Sequence, residues 1–191
     1  MATQDERNRA TRRALIDAAR SLFAERGYAA VPVAEIAARA GVTTGALYHQ
    51  FGSKQDVFRA VYSELVARVA ERVVLARGEG APTLLGDCEA FMATCSDPAF
   101  NRITIDGPVV LGWDEILDET QALIESSLQE ARRRGEIVDL PIAPLARMLA
   151  AALKEAAVGI ALAADPEAAR EDARAIAATL IGGLLVAGPR V

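Results

Sequence analysis

Apolar residues recur at intervals of three and four positions along most of the chain, which is the spacing of one face of an α-helix. The clearest early example is the stripe made by Leu15, Ala18, Ala19, Leu22 and Phe23. Thr3-Gln4-Asp5-Glu6, ahead of that stripe, has the spacing of a capping box, and Gly27, behind it, can adopt the left-handed conformation that ends a helix. The pattern predicts a first helix over residues 4–26.

The same reasoning predicts about nine helices and an all-α fold. Proline, glycine and cap residues indicate a second helix from Val31-Pro32 to Gly41, a third from Thr43 or Thr44 to about Gln50, and a fourth that starts after Ser53. Further helices are predicted near residues 83–96, 98–105, 108–134, 142–164 and 166–187. Turn-forming residues such as Asp106-Gly107-Pro108 are expected to separate them. No run shows the period-two alternation that is typical of strands.

Charge is distributed unevenly along the 191 residues, whose formal net charge is −5. Residues 1–60 carry nine Arg or Lys and six Asp or Glu, whereas residues 61–191 carry twelve and twenty. The net charge argues against a general nucleic-acid-binding protein. The positive surplus of the first segment is consistent with an anionic partner for that segment alone.

The composition gives little support to an enzyme, a cofactor or a membrane span. The sequence contains one His and lacks metal-ligand spacing, a nucleophile elbow and a phosphate-binding loop. It therefore offers almost no support for catalysis, and no cofactor is expected. Cys88 and Cys95 are predicted to be buried, reduced thiols. The start of the chain lacks the apolar stretch of a secretory signal, and the longest uncharged apolar run, residues 175–188, is too short to cross a bilayer. We therefore expect a soluble cytoplasmic protein.

Residues 33–50 have the spacing of a helix-turn-helix unit. Ala37 is small where two helices would cross, Gly41 can take the positive φ of a tight turn, and Val42 and Leu47 can hold the second helix against the first. A short helix held in this way could enter the major groove of DNA, which is about 12 Å wide. Its exposed residues would be Thr44, Gly45, Tyr48, His49 and Gln50.

A cation follows this unit at a position that suits an anionic partner. The start of the third helix and the Ser53 cap of the fourth present free backbone N–H groups, which bind phosphate well. Lys54 lies in the first turn of its helix, where the helix dipole disfavours a positive charge unless an anion binds there. The alternative is an ordinary corner between two helices, in which Tyr48 and Lys54 are simply solvated.

The order and spacing of these residues resemble the DNA-binding domain of the TetR family. The matching positions, which span residues 7–58, include Thr11-Arg12, Asp17-Ala18-Ala19, Leu22-Phe23, Gly27-Tyr28, Ile36-Ala37, Ala40-Gly41-Val42, Gly45-Ala46-Leu47-Tyr48, Phe51 and Ser53-Lys54. The resemblance implies a helix-turn-helix DNA-binding domain over residues 1–54 and a helical effector-binding and dimerisation domain over residues 55–191. It also implies a homodimer, a double-stranded DNA operator and a small-molecule inducer, since most members are repressors.

The resemblance further implies roles for individual residues of the first domain. Thr44, Gly45 and Tyr48 match groove-contacting positions, Tyr48 and Lys54 match phosphate contacts, and Thr43 matches the polar cap of the recognition helix.

Two positions depart from the family pattern. Val31-Pro32 stands where many members have Thr or Ser, whose hydroxyl often helps to hold phosphate, so the resemblance does not extend to that contact. Gln50 stands where His is frequent, although Gln can still donate a hydrogen bond. His49, one residue earlier, is either a DNA contact or an exposed residue without a special role.

The helices predicted over residues 142–164 and 166–187 are apolar on more than one side, and such helices must be buried. One short domain has few surfaces that could hide both. We therefore expect a four-helix interface with a second copy, the alternative being an intramolecular core. The residues expected there are Leu145, Leu149, Ala152, Ala156, Ile160, Ala178, Ile181, Gly182, Leu185 and Val186.

Soft and aromatic side chains of the C-terminal part are candidates for the wall of an effector cavity, because they adapt to apolar ligands. They are Phe91, Met92, Cys95, Phe100, Ile103, Leu111, Trp113 and Met148. Plain core packing is the alternative for each of them. Glu155 lies within an apolar helix, where it could bind a cationic ligand group, pair with Arg147 or face water. The effector itself is expected to be a largely apolar small molecule.

These features favour a ligand-responsive transcriptional repressor that reads a pseudo-palindromic operator in the major groove. A second possible function is that of a helical module that binds a small molecule or a partner and whose DNA-binding domain is vestigial. Apparent DNA affinity that does not change with salt concentration, together with retained ligand binding, would indicate this function. An enzyme is the third class, and turnover that depends on a cleft carboxylate would reveal it.

Overall fold

The structure, a computed structural model, describes residues 3–78, 84–95 and 97–186. These residues form nine α-helices, so the all-α prediction is confirmed. In chain order the helices are α1 (Gln4–Arg26), α2 (Val33–Arg39), α3 (Thr44–Phe51), α4 (Lys54–Gly78), α5 (Leu84–Thr94), α6 (Pro98–Val110), α7 (Trp113–Arg133), α8 (Ile142–Leu162) and α9 (Pro166–Gly182).

The predicted ends of the first helix are confirmed. The Thr3 hydroxyl accepts a hydrogen bond from the Glu6 amide at 3.2 Å, and the Glu6 carboxylate accepts one from the Thr3 amide at 2.6 Å. Gly27 ends the helix with a φ of 78°. The second helix differs slightly from its prediction, because Pro32 is the residue before the first helical position rather than the first residue itself.

The prediction of a break at Asp106-Gly107-Pro108 is wrong. Helix α6 continues through Pro108 to Val110, and the break comes at Gly112, whose φ is 88°. Gly107 serves packing, because a Cβ atom there would lie 2.7 Å from Ile116 Cδ1 and 3.1 Å from the Tyr62 ring. The residue therefore allows α6 to approach α4 and α7 closely.

The predicted extent of the last helix is also wrong. Helix α9 ends at Gly182, after which Gly183 continues only as a helix cap, while residue 187 lies outside the described part of the chain. Beyond the cap, Leu185 forms an isolated antiparallel bridge with Ile137. The Val186 amide donates to the Glu136 carbonyl at 2.8 Å, which ties the end of α9 to the connection between α7 and α8.

Two clusters of buried apolar residues lie one at each end of α4. The N-terminal cluster joins α1, α2 and α3 to the first half of α4 and includes Phe23, Leu47 and Phe58, together with Ile103 of α6 and Ile116 of α7. The C-terminal cluster joins the second half of α4 to the remaining helices. The division of the chain at residues 54 and 55 stays a prediction, and α4 contributes to both clusters.

Within the described residues, no helix is long and apolar enough to cross a membrane. The same part of the chain holds no cluster of side chains suited to a metal ion. Cys88 and Cys95 are free and buried, as predicted, and burial raises the pKa of each thiol to about 11.

Candidate nucleic-acid interface

Helices α2 and α3 form the predicted helix-turn-helix corner. Gly41 has a φ of 71°, and a Cβ atom there would meet nothing within 4 Å, so the backbone conformation rather than space requires glycine. The Val42 amide donates to the Ala37 carbonyl at 3.0 Å across the turn. Leu47 is fully buried against the N-terminal cluster, which anchors α3 by its inner side. The corner therefore has one fixed face and one free face.

The outer side of α3 is open to solvent. Thr43, Thr44, Gly45 and His49 are exposed, and Tyr48 is 50% exposed. The Thr43 hydroxyl caps the helix by accepting from the Ala46 amide at 3.1 Å. The structure thus places the predicted contact residues together on one uncovered surface.

The free face carries no negative charge of its own. Residues 36–55 contain no Asp or Glu. Arg12 of α1 reaches this region, with its guanidinium 4.2 Å from the centre of the Phe51 ring and a 3.3 Å hydrogen bond to the Gln50 carbonyl. Gln50 itself is half-buried beside the exposed residues. Arg12 fixes the end of α3 and adds positive charge next to it.

Lys54 lies where α3 ends and α4 begins. Its ammonium is 4.2 Å from the centre of the Tyr28 ring, and partial burial lowers the pKa of Lys54, partly offset by Asp106. Ser53 caps α4 by accepting from the Asp56 amide at 3.0 Å, and the Ser53 hydroxyl lowers the pKa of the Asp56 carboxyl. Lys54 is held by an aromatic face rather than by a carboxylate, which leaves its charge available to a phosphate.

Helix α6 docks on the turn after α1. The Asp106 carboxylate accepts from the Tyr28 amide at 2.7 Å, and the Arg102 guanidinium donates to the Arg26 carbonyl at 3.2 Å. A Cβ atom on Gly27 would lie 2.5 Å from Arg102 Nη2, so glycine is needed both for its positive φ and for this contact. Sequence reasoning missed this docking, because nothing local to Arg102 or Asp106 indicates a partner 76 or 78 residues away.

A cavity of about 390 Å³ lies among α5, α7, α8 and α9. Its wall is almost entirely apolar and is formed by Leu84, Cys88, Met92, Ile124, Ser127, Leu149, Ala152, Leu153, Ala156, Gly159, Ile160, Ala169, Asp172, Ala173, Ile176, Ala177, Leu180 and Ile181. Some of these residues are exposed, including Ala152, Gly159, Ile176 and Leu180. They mark a mouth of the cavity on the outer face of α8 and α9.

The structure brings together only some of the residues that were predicted for an effector pocket. Met92 lines the cavity of about 390 Å³, which is called the main cavity below because its wall is almost entirely apolar. Phe91 lines a small chamber beside it, and Cys95 lines a second cavity of about 530 Å³ that has charged residues in its wall. Phe100 is buried in the C-terminal cluster. Trp113, Met148 and Glu155 are exposed and do not line the main cavity. The pocket assignment stays a prediction; of its candidates, Met92 lies in the wall of the main cavity and Phe91 in the wall of the small chamber. The remaining two candidates, Ile103 and Leu111, belong to the N-terminal cluster.

The charged residues of α8 also differ from expectation. Arg147 does not pair with Glu155, because its guanidinium donates to Asp114 and Asp118, each at 2.8 Å. Glu155 faces water. The buried charge on this helix is instead Lys154, which is 4% exposed and donates to the Tyr62 hydroxyl at 2.6 Å. A signal was present in the sequence, since Lys154 follows Ala150 at helical spacing on the buried stripe.

The Lys154–Tyr62 hydrogen bond joins α8 to α4. Burial lowers the pKa of Lys154 to about 8, although Cys95 and Glu119 act in the opposite direction. Burial, with a smaller contribution from Glu119, raises the pKa of the Tyr62 hydroxyl well above its ordinary value. A buried ammonium with one hydrogen-bond partner costs stability, and such groups are characteristic of functional sites.

We expect Lys154→Met to stabilise the fold. Because the pKa is about 8 in the folded state and 10.5 in the unfolded state, the folded ammonium costs about 3 kcal/mol below pH 8. Between these two values only the unfolded chain keeps the proton, so wild-type stability rises with pH. Urea unfolding at pH 7 should show a gain of about 1–3 kcal/mol for the variant, the lower value allowing for the lost Tyr62 hydrogen bond. The gain should shrink by pH 9.5.

Lys54→Met is the matched control, because Lys54 is the only other lysine in the sequence and is less buried. Its effect on the free energy of unfolding should stay within about 0.5 kcal/mol. A Lys154→Met protein that is less stable than wild type at pH 7 would show that the ammonium contributes to the fold.

The outer face of α8 and α9 carries large apolar side chains. Met148 is 71% exposed, Ile176 is 60% exposed and Leu180 is 55% exposed, and Leu162 is exposed at the end of α8. Of the residues predicted for a dimer interface, Ile160 and Ile181 are instead buried within the chain. A contiguous exposed apolar face of this kind is typical of an interaction surface.

Helix α3 is short, its outer face has no carboxylate, and a glycine turn joins it to α2. This arrangement is the helix-turn-helix unit of DNA-binding proteins. Residues 15–61 match the family described as bacterial regulatory proteins, tetR family. Residues 81–184 match the tetracyclin repressor-like C-terminal domain. The chain belongs to the TetR family of transcriptional regulators.

Individual relatives agree with this assignment. The chain is 31% identical over 140 residues to the TetC protein of transposon Tn10 from Escherichia coli, an alignment covering 66% of this chain and 70% of that protein. It is 29% identical over 175 residues to the A-factor receptor protein of Streptomyces griseus, covering 86% of this chain and 58% of the relative. A TetR-family regulator from Pectobacterium atrosepticum superposes with a TM-score of 0.82 at 30% identity, covering 97% of this chain and 99% of that one.

Proposed function

We propose that this regulator is a homodimeric repressor that reads a pseudo-palindromic operator in the major groove and is released by a small-molecule effector. It would act in the cytoplasm, where the DNA is. The observation that carries the proposal is the free face of α3. That face presents hydrogen-bonding side chains without a single carboxylate.

The contact residues divide by role. Thr44, Gly45, Tyr48, His49 and Gln50 belong to α3 and would meet base edges or the groove wall. Thr43 at the start of α3 and Lys54 at the start of α4 would meet phosphates, with Tyr48 contributing its hydroxyl. Phosphate contacts of this kind fix the position of the recognition helix, whereas the α3 contacts supply specificity.

A homodimer is supported by the apolar outer face of α8 and α9. Two copies joined through that face would form a four-helix interface related by a two-fold axis. The axis would place two α3 helices about 34–36 Å apart, one turn of duplex DNA. The second copy would also cover the mouth of the main cavity.

Release by an effector is supported by the cavity and by its connection to the head. The cavity wall includes α8, which is linked to α4 through Lys154 and Tyr62. Helix α6 in turn contacts the turn at Arg26–Tyr28, which belongs to the N-terminal part formed by α1, α2 and α3, called the head. A ligand that favours another arrangement of these helices changes the spacing of the two α3 helices. By linkage, ligand and operator then weaken each other by the same factor.

The test is a footprint of the full chain on DNA from upstream of its own gene, with a parallel selection from a random duplex pool. We expect protection of two half-sites about one helical turn apart. Affinity should fall steeply with salt, since phosphate contacts release counterions. A protein that selects no sequence from the pool and protects none of the upstream DNA is not an operator-binding repressor.

A further inference from the structure

The main cavity has an apolar wall and no cation in it. Among its described lining residues only Ser127 and Asp172 are polar, and Asp172 is exposed on α9. Such a wall accepts an apolar molecule but does little to orient it. Specificity in ligand sites comes from a few polar groups at defined positions.

A buried cation lies behind this wall. Lys154 lines a smaller chamber of about 40 Å³, and two residues, Ile124 and Leu153, line both this chamber and the main cavity. A cavity of that size has room for a small polar group, since one water needs roughly 10–15 Å³. The two spaces are therefore neighbours, and a ligand that occupies both must displace the Ile124 or Leu153 side chain between them.

Two of the three N–H donors of the Lys154 ammonium have no partner among the described residues. An ammonium has three donors, and in the described residues its one hydrogen-bond partner is the Tyr62 hydroxyl. No described carboxylate lies within ion-pair distance of it. Glu119 raises the pKa of Lys154 from beyond ion-pair distance; one of its carboxylate oxygens accepts from Ser63 at 2.6 Å, and the other is buried without a hydrogen-bond partner in the described part of the chain. Buried charges are normally paired in direct contact, so the Lys154 ammonium, which has no such pair in the described residues, can bind an anionic group.

We propose that the effector is an amphiphile with a single carboxylate, whose apolar part fills the main cavity and whose carboxylate accepts hydrogen bonds from Lys154. The inference rests on the effector-release function proposed above and names the ligand class of that site. A carboxylate supplies the charge and the acceptors that the ammonium lacks, and charge-assisted hydrogen bonds are the strong ones.

The position of Lys154 also connects the ligand to DNA binding. Its partner Tyr62 belongs to α4 and is buried in the N-terminal cluster with Phe58 and Ile103. A carboxylate that accepts from the two remaining N–H donors of Lys154 draws the ammonium toward itself and so strains its hydrogen bond to the Tyr62 hydroxyl. Binding therefore acts on the hydrogen bond that joins the cavity helix α8 to the helix that carries the head.

The opposite charge preference is the main alternative. A cationic amphiphile could place its head at Asp172, on the exposed side of the cavity. Matched probes of one chain length separate these cases: octanoate, the isosteric neutral octanamide and the cationic octylamine. Calorimetric titration of each probe into the full-length protein gives the three dissociation constants.

We expect wild type to bind octanoate about tenfold or more tightly than octanamide. Lys154→Met should bring that ratio close to one, because its side chain keeps the length but not the charge. Arg147→Gln, which removes a half-buried cation of the same helix that lines neither space, should keep the wild-type ratio. Equal binding of acid and amide by wild type, tighter binding of octylamine, or an unchanged ratio in Lys154→Met would each overturn the inference while leaving the cavity as an effector site. Absence of binding by all three probes would overturn the effector cavity as well.

Discussion

Tyr48→Ala is expected to weaken operator binding by about 100-fold, since each half-site loses a contact of about 1–3 kcal/mol. The side chain is half exposed on the free face of α3. The measurement is fluorescence anisotropy of a labelled operator duplex with the purified variant. Lys54→Ala should weaken binding to all DNA sequences about equally. It should also reduce the slope of log affinity against log salt concentration by about one for each half-site.

Two control variants distinguish the loss of a specific DNA contact from a loss of folding and from a general change of charge. Tyr48→Phe keeps the ring and removes only the hydroxyl. The decrease in its operator affinity therefore measures how much the hydroxyl hydrogen bond contributes to binding. Arg132→Ala removes a cation near the end of α7, which pairs with Asp139 far along the chain from the head. It should leave operator affinity within about twofold. If Tyr48→Ala and Lys54→Ala both bind as wild type does, α3 is not the recognition helix.

Leu180→Glu is expected to convert the proposed dimer to a monomer and to lower operator affinity by about 100-fold or more, because the two DNA-binding parts would no longer be linked. Leu180 is 55% exposed on the apolar outer face of α9, one turn from Ile176. A carboxylate there would be buried without a partner in the assembled four-helix interface. Sedimentation velocity gives the mass of each species, and the same anisotropy assay gives the affinity.

Val109→Glu is the matched control for that change. Val109 is an apolar residue of α6, not of α8 or α9, and is 88% exposed. The variant should remain dimeric and should keep its DNA affinity. A Leu180→Glu protein that sediments as a dimer would move the interface to another surface.

The head could be predicted almost completely from the sequence, because its determinants are local. A capping box at Thr3, positive-φ glycines at Gly27 and Gly41, and the short cap at Thr43 each specify one backbone feature within a few residues. The helix-turn-helix corner is the sum of such features. The assignment of the exposed α3 residues then followed from which positions face inward.

The C-terminal part was harder because its determinants are contacts between distant helices. Pro108 has the sequence signature of a break, yet the packing of Gly107 against Tyr62 and Ile116 keeps α6 continuous. Residue type also misled the prediction of the cavity wall, since Trp113 is on the surface. The wall is formed mainly by Ala, Leu and Ile, which the sequence cannot distinguish from ordinary core residues.

The position of the cavity mouth has a kinetic consequence. Because the mouth opens on the outer face of α8 and α9, a second copy seated there would enclose whatever the cavity holds. Exchange with solvent would then wait for the two copies to part briefly. The lifetime of the bound molecule would follow the rate of that opening, so changes at the subunit contact would alter how long a signal persists without altering any atom that touches the ligand.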